Sequence, residues 1–405
     1  MCLALVSVRL FNCRFLIRVK GALNIANCRA MIIRTCSNLY VKTQLIRQRS
    51  TFSALLDESW QSGAVLKSLS TNIYENLALE DWIQEHVDLE SRSLLLLWRN
   101  MPAAVIGRHQ NPWQECHLGL MREKGIPLAR RRSGGGAVYH DLGNINMTFF
   151  TSKKQYDRQR NLRIVTSALA ELRPALDVRA TERFDILLNE QFKISGSAAR
   201  LGRTVAYHHC TLLCAADRSL LSGVLKSTCQ GIKSNATPSV PSPVKNLADE
   251  DPTLDCEIIM DAVANRYIRD FGLNGPLILI NPTEELRHPG IHRLTQELQT
   301  WDWVFGKTPK FTIDTCFDIP HEAVRSKVIL NMEVKYGIIE KCRFEVPSAW
   351  LPLHMCEEFN TLLVGSRFCP SDTAALFVAV SRANPQTCDL QAKLNFLCTK
   401  LTAVM

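Results

Sequence analysis

The stretch from Arg130 to Phe150 concentrates more potential chemistry than any other part of the chain, running Arg-Arg-Arg-Ser-Gly-Gly-Gly-Ala-Val-Tyr-His-Asp into an alternating segment. Gly134, Gly135 and Gly136 carry no Cβ, so their backbone N–H groups can approach a bound anion closely. A negatively charged or phosphorylated small molecule is the guest that such a loop suits. A plain hairpin turn is the competing reading. The polar groups crowded around the glycines, Arg130, Arg131, Arg132, Tyr139, His140 and Asp141, favour a binding loop.

Lys193 is the second candidate. It alternates with Phe192 and Ile194 and precedes the small-residue run Ser195-Gly196-Ser197-Ala198-Ala199. A lysine there can meet a phosphate or carbonyl oxygen as a compact charge, although a lone strand lysine also guards sheet edges. Ser195 and Ser197 are weaker candidates as nucleophiles, because a Gly-x-Ser-x-Gly elbow around Ser195 needs glycine where Lys193 stands. His208, His209, Cys210 and Cys214 supply at most half a zinc site, and neighbouring strand residues point to opposite faces, so no metal is assigned. Gly306-Lys307-Thr308 copies the end of a phosphate loop, but the earlier glycine of that motif is replaced by Trp301.

Several short elements must position these residues. A helix is expected from about Asn72 to Ile83, strands at Leu94–Trp98 and, as its neighbour, Ala103–Gly107, then a helix from Gln114 to Lys124. The basic strand, the glycine loop and a strand over Ile145–Phe150 follow, then a helix near Asn161–Leu172. Strands at Arg183–Leu188, Phe192–Leu201 (broken at Gly196) and Thr204–Cys214 are joined by short polar turns, which predicts an antiparallel meander. Residues 234–243, rich in Ser and Pro, form an aperiodic loop, either lid or linker. A helix over 255–271 closes the first domain, and a hairpin around Tyr336-Gly337 with helix after Pro352 makes a smaller one. The expected organisation is a leader over 1–50, a larger domain over 66–290 and an accessory domain over 291–405.

The 405 residues have ordinary globular composition, 46% hydrophobic and 21% charged. Residues 1–50 hold nine Lys or Arg and no Asp or Glu, which accounts for the whole formal charge of +9 and leaves the remaining 355 residues balanced. That distribution argues against a nucleic-acid-binding body and fits an amphipathic mitochondrial transit peptide. No segment reaches about 18 unbroken apolar residues, so no membrane span is expected. Eleven of the fifteen Cys lie after the leader without a C-x-x-C pair and read as buried apolar residues of a reducing compartment.

Together these segments resemble the lipoate-protein ligase A family, in particular its animal mitochondrial branch. The resemblance is carried by Val105-Ile106-Gly107-Arg108-His109-Gln110-Asn111-Pro112-Trp113, the Arg130–Phe150 block, Phe184-Asp185-Ile186-Leu187, Lys193 to Ala198, Tyr207-His208-His209-Cys210-Thr211, Val244-Lys245-Asn246-Leu247 and Trp301-Asp302-Trp303, in family order over most of the chain after Ser68. It implies an α+β fold: a mixed, largely antiparallel sheet with flanking helices, shared with biotin ligases, and a smaller α+β C-terminal domain. It implies transfer of a lipoyl group from lipoyl-AMP to a lysine on lipoyl domains of 2-oxoacid dehydrogenase complexes and on glycine-cleavage H protein, by a monomer in the mitochondrial matrix. Arg132, Ser133, Gly134, Gly135 and Gly136 would line the lipoyl end and Tyr139 would pack on the adenylate. Arg183 and Asp185 would fix the nucleotide, Lys193 would bridge phosphate and acyl carbonyl as the catalytic residue, Thr211 would lie beside the ligand, and Val240 and Ser242 would fold over the adenosine. Val205 stands where the related octanoyltransferases carry a cysteine nucleophile, which argues against a thioester intermediate. A full ATP-dependent ligase, which alone would need Mg2+, is the alternative; a synthetase-like binding module is the non-enzyme one.

Overall fold

The computed structural model describes residues 63–275, 277–319, 326–384 and 387–405, and also the backbone of two short strands, Leu5–Leu10 and Cys13–Arg18, which pair antiparallel. The transit peptide expected over 1–50 otherwise lies outside the described residues.

A six-stranded mixed sheet organises residues 63 onward, in the order Ser197–Leu201, Val205–Leu213, Asn144–Ser152, Ser93–Trp98, Gly63–Ser68 and Ile278–Ile280. The first three junctions are antiparallel, but of the expected meander only the pair joined by the turn at Gly202-Arg203 lies in this sheet. The last two are parallel, and the helix Ile73–His86 makes the crossover between Gly63–Ser68 and Ser93–Trp98. Ser93–Trp98 is buried along its whole length, because helices cover both faces of the sheet and leave no solvent side for an alternating pattern. On one face Leu95, Leu97, Met147 and Phe149 meet Val165, Leu169, Ile259 and Val263 of the helices Arg158–Leu172 and Cys256–Phe271. Each such side chain contributes roughly 1.5–3 kcal/mol by leaving water.

Two smaller sheets hold the glycine loop and Lys193. Ala103–Ile106 does not extend the main sheet as its position in the sequence suggests; it pairs parallel with Leu128–Arg130 and antiparallel with Val138–His140, and the glycine loop joins those two partners. The region expected as a strand from Arg183 is one only from Ile186 to Leu188, between Val178–Ala180 and Phe192–Lys193, because Phe184 takes a left-handed φ of 64° that ends extended pairing. The helix expected over Gln114–Lys124 is two short ones, Pro112–Glu115 and Leu118–Glu123.

The C-terminal part is an antiparallel sheet of Phe311–Asp318, Lys327–Lys335 and Ile338–Glu345 covered by three helices, and Ile232–Ser234 adds its fourth strand. Arg130, wholly buried, ties the two parts together. Its Nε donates to Val304 O at 2.8 Å and its Nη2 to Thr308 Oγ1 at 2.8 Å, while Trp303 Nε1 donates to Arg130 O at 2.7 Å. Thr308, of the phosphate-loop mimic, is thus a structural acceptor.

Candidate functional site

A cavity of about 360 Å3 opens on the sheet face opposite the helices Arg158–Leu172 and Cys256–Phe271, and a second lobe of about 250 Å3 adjoins it. Register explains which strand residues face it. Trp98 pairs with Asn146 and Asn146 with Thr211, so the three side chains share one face, with His209 two residues before Thr211. Both lobes are bounded by Lys193, Gly196, Thr211, Val240 and Ser242, which makes that wall the junction between them.

Lys193 Nζ lies 2.9 Å from Asp185 Oδ1, and Arg183, exposed, stands at the mouth of the first lobe. The backbone of Lys193 donates to Pro243 O at 2.9 Å, so the strand bearing the amine also holds the end of the 234–243 loop. Tyr139 belongs to the second lobe; burial together with Asp141 and Asp217 pushes its phenol up to about 12, and its hydroxyl has no partner among the described residues. Thr211 Oγ1 accepts from Gly196 N at 2.7 Å and sets the kink between Lys193 and Ser197. Ser195 and Ser197 are engaged elsewhere: Ser195 Oγ accepts from Ile186 N at 2.7 Å, and Ser197 Oγ lies 2.7 Å from His208 Nε2.

The three consecutive arginines diverge. Arg132 does not line the cavity: its guanidinium bonds Asp81 at 2.6 Å and Glu297 at 3.0 Å and stacks on Trp303. Arg131 lines it instead. Its Nη2 donates to Gly134 O at 2.6 Å and Gly136 O at 2.7 Å, its Nη1 to Val105 O at 3.2 Å, and its Nε to Ser133 Oγ at 3.0 Å, so it moulds the glycine loop from within. Ser133 is buried away from the cavity and lies 2.8 Å from His209 Nε2, whose Nδ1 reaches the buried Glu80 carboxylate at 2.9 Å. Gly134 and Gly135 are outside the lining too; Gly135 is needed for its φ of 86°. Only Gly136 of the triplet reaches the cavity, beside Ser239, whose Oγ accepts from Ala137 N at 2.8 Å and Gln110 Nε2 at 3.1 Å. The sequence does not mark Ser239, and it shows Arg131 only as one of three arginines beside the glycines, because nothing in a Ser-rich loop or an arginine run says which member turns inward.

His208 and His209 face opposite sides of their strand. His208 meets Ser197 and Asn161, and burial with nearby Arg158 holds it well below the usual histidine range. His140 lines the cavity, and Asn100 Nδ2 lies 2.9 Å from its Nδ1. Burial, Arg131 and His209 lower His140 to about 3. Burial also pushes the Cys210 thiol up to about 12, so it is protonated and poorly nucleophilic at neutral pH.

Both histidines are neutral in the folded state and titrate near 6.5 when unfolded. Their contribution is therefore complete above about pH 6.5 and is lost as pH falls from there toward the folded values, at about 1.4 kcal/mol per pH unit for each. Urea unfolding midpoints should be level from pH 7 to 8 and fall steeply below 6.5, and His140→Asn should remove about one proton from that dependence. Midpoints that stay level down to pH 5 contradict this account.

Comparison with known proteins places this geometry in a family. Residues 72–269 match the model of the lipoyl protein ligase A/B catalytic domain. The chain is 53% identical over 345 residues to the lipoyl amidotransferase LIPT1, mitochondrial, of Homo sapiens, covering 85% of this chain and 92% of that one. It is 36% identical over 329 residues to lipoate-protein ligase A of Psychrobacter cryohalolentis, covering 80% and 94%. The crystal structure of P. falciparum LipL1 in complex with lipoate shares the fold, with a TM-score of 0.53 at 24% identity over 84% of this chain and 99% of that one. The chain belongs to the lipoate-protein ligase family of lipoyl-transferring enzymes and, with its LIPT1 relatives, is a mitochondrial protein.

Proposed function

We propose that the enzyme takes the lipoyl group from lipoyl-AMP and joins it to the ε-amine of a lysine on lipoyl domains of 2-oxoacid dehydrogenase complexes and on glycine-cleavage H protein, as a monomer of the mitochondrial matrix. Residues 66–290 hold the donor and residues 291–405 are accessory. The observation that carries this reading is the position of Lys193 on the wall shared by the two lobes.

An acyl adenylate is already activated, so the protein has to orient it, stabilise charge and exclude water. The neutral acceptor amine attacks the acyl carbonyl, a C–N bond forms, the C–O bond to phosphate breaks, AMP leaves with its electron pair and the nitrogen's surplus proton passes to solvent. Lys193 meets the charge that develops on the carbonyl oxygen and phosphate. Asp185, Arg183 and Thr211 fix the donor around it, Tyr139, Val240 and Ser242 flank the adenosine, and Gly136 borders the acyl chain. Each buried methylene of that chain adds about 0.8 kcal/mol. Arg132, Ser133, Gly134 and Gly135 act indirectly, through the shape of the loop.

The relatives' name, lipoyl amidotransferase, favours a second reading in which the donor is itself a lipoyl amide. Incubating the chain with an apo-lipoyl domain and one of three donors separates these readings by intact mass: lipoyl-AMP, lipoylated H protein, or lipoate with ATP and Mg2+. One added lipoyl group from lipoyl-AMP is the expected result. Addition only from lipoylated H protein transfers the conclusion to the amide donor, addition only with ATP to a full ligase, and none at all overturns the proposal.

A further inference from the structure

Arg183 and Asp185 reach the cavity from a turn whose backbone is strained. Phe184 between them has a φ of 64°, in the left-handed region where a bulky aromatic residue is an outlier. Such a conformation persists only where its surroundings over-determine it. Here the surroundings are the first turn of the helix Arg158–Leu172. The Arg158 guanidinium lies 3.9 Å from the centroid of the Phe184 ring, and Gln159 Nε2 donates to Thr181 O at 2.9 Å. Inside the turn, Phe184 N donates to Thr181 O at 3.1 Å and Thr181 N to Asp185 O at 2.8 Å. Arg158 also reaches the far wall, where its Nη2 donates to the cavity-lining Ser197 Oγ at 3.1 Å.

The place of Arg158 is costly for the helix itself. A cation in the first turn faces the positive end of the macrodipole, and its Nε is buried without a hydrogen-bond partner among the described residues. We infer that Arg158 is a positioning residue for lipoyl transfer, clamping the left-handed Phe184 turn so that the Asp185 carboxylate stays against Lys193 Nζ. It is not part of the cavity lining, so it acts through the turn. The inference rests on the proposed role of Lys193 toward the donor.

Rates of transfer from lipoyl-AMP to an apo-lipoyl domain test it with the full chain. Arg158→Met lowers kcat at least tenfold and changes KM for lipoyl-AMP less than threefold. Arg158→Lys, which keeps a cation over the ring, returns kcat to within threefold of wild type. Because Arg158 acts through Asp185, Arg158→Met adds no further loss to Asp185→Asn. A merely structural arginine would slow both backgrounds by the same factor. Should Arg158→Met fail to fold, Phe184→Gly serves: it keeps the left-handed backbone without the ring, lowers kcat at least tenfold, and adds no further loss to Asp185→Asn. Losses that multiply in either pair, or Arg158→Met within threefold of wild type, overturn the inference alone. A wild-type chain that transfers nothing overturns the functional reading as well.

Discussion

Replacing Lys193 by Ala should slow lipoyl transfer by about 10²–10³-fold while the protein stays folded, the loss typical of removing one preorganised group that meets developing charge. The side chain is about a quarter exposed, and Asp185, its one ion-pair partner among the described residues, is of similar exposure. A pair that wet contributes about 0–1 kcal/mol, so the thermal midpoint should fall by no more than about 4 °C. Lys193→Arg should not restore the rate. A planar guanidinium spreads its charge over a fork that a site shaped for a compact ammonium does not match. Single-turnover transfer from lipoyl-AMP separates chemistry from product release. A Lys193→Ala rate within threefold of wild type removes the amine from its assigned part.

Much of the scaffold around that amine is legible in the residues themselves. The strands at Leu94–Trp98, Ile145–Phe150 and Thr204–Cys214, the helix ending at Leu172 and the hairpin at Tyr336-Gly337 follow from period, turn residues and caps, and the structure has them within a few residues. Two features depend on long-range partners that a single sequence does not reveal. The parallel pairing of Gly63–Ser68 with Ile278–Ile280 joins segments far apart in the chain, and the short strand at Ile232–Ser234 crosses to the C-terminal sheet. Within the site, an extended Arg-Arg-Arg run alternates its faces, and a register shift of one residue exchanges the inward and outward members. The family resemblance assigns Arg132 to the lipoyl end, but Arg131 is the one that lines the cavity and whose guanidinium reaches Gly134 and Gly136. Lys193 stands out in the sequence as a charge amid apolar strand neighbours, Asp185 only through the family resemblance, and their pairing appears only in the structure.

Gly107 offers the second large effect, and it follows from packing alone. A Cβ built there would stand 2.2 Å from Gly135 O and 3.1 Å from Gly134 C, both backbone atoms that cannot rotate away. Nor can the loop yield as a unit. Arg108 N donates to Ser133 O at 2.8 Å, Arg131 grips two of the glycine carbonyls, and Ala137 N is held by Ser239 Oγ. Gly107→Ala must therefore strain those hydrogen bonds and distort the glycine loop, at a stability cost of about 1–3 kcal/mol. Transfer should fall by about a hundredfold or more, as misplacement of about 1 Å near reacting groups does. Gly134→Ala is the control within the same loop: nothing lies within 4 Å of its added methyl, its φ is not left-handed, and Gly134 does not line the cavity. It should change stability by less than about 0.5 kcal/mol and leave transfer within threefold. If Gly134→Ala abolishes transfer in a folded protein, the donor itself approaches that backbone, and the triplet acts as a direct cradle for it. If both substitutions are tolerated, the loop is not the rigid wall that the hydrogen bonds of Arg131 describe.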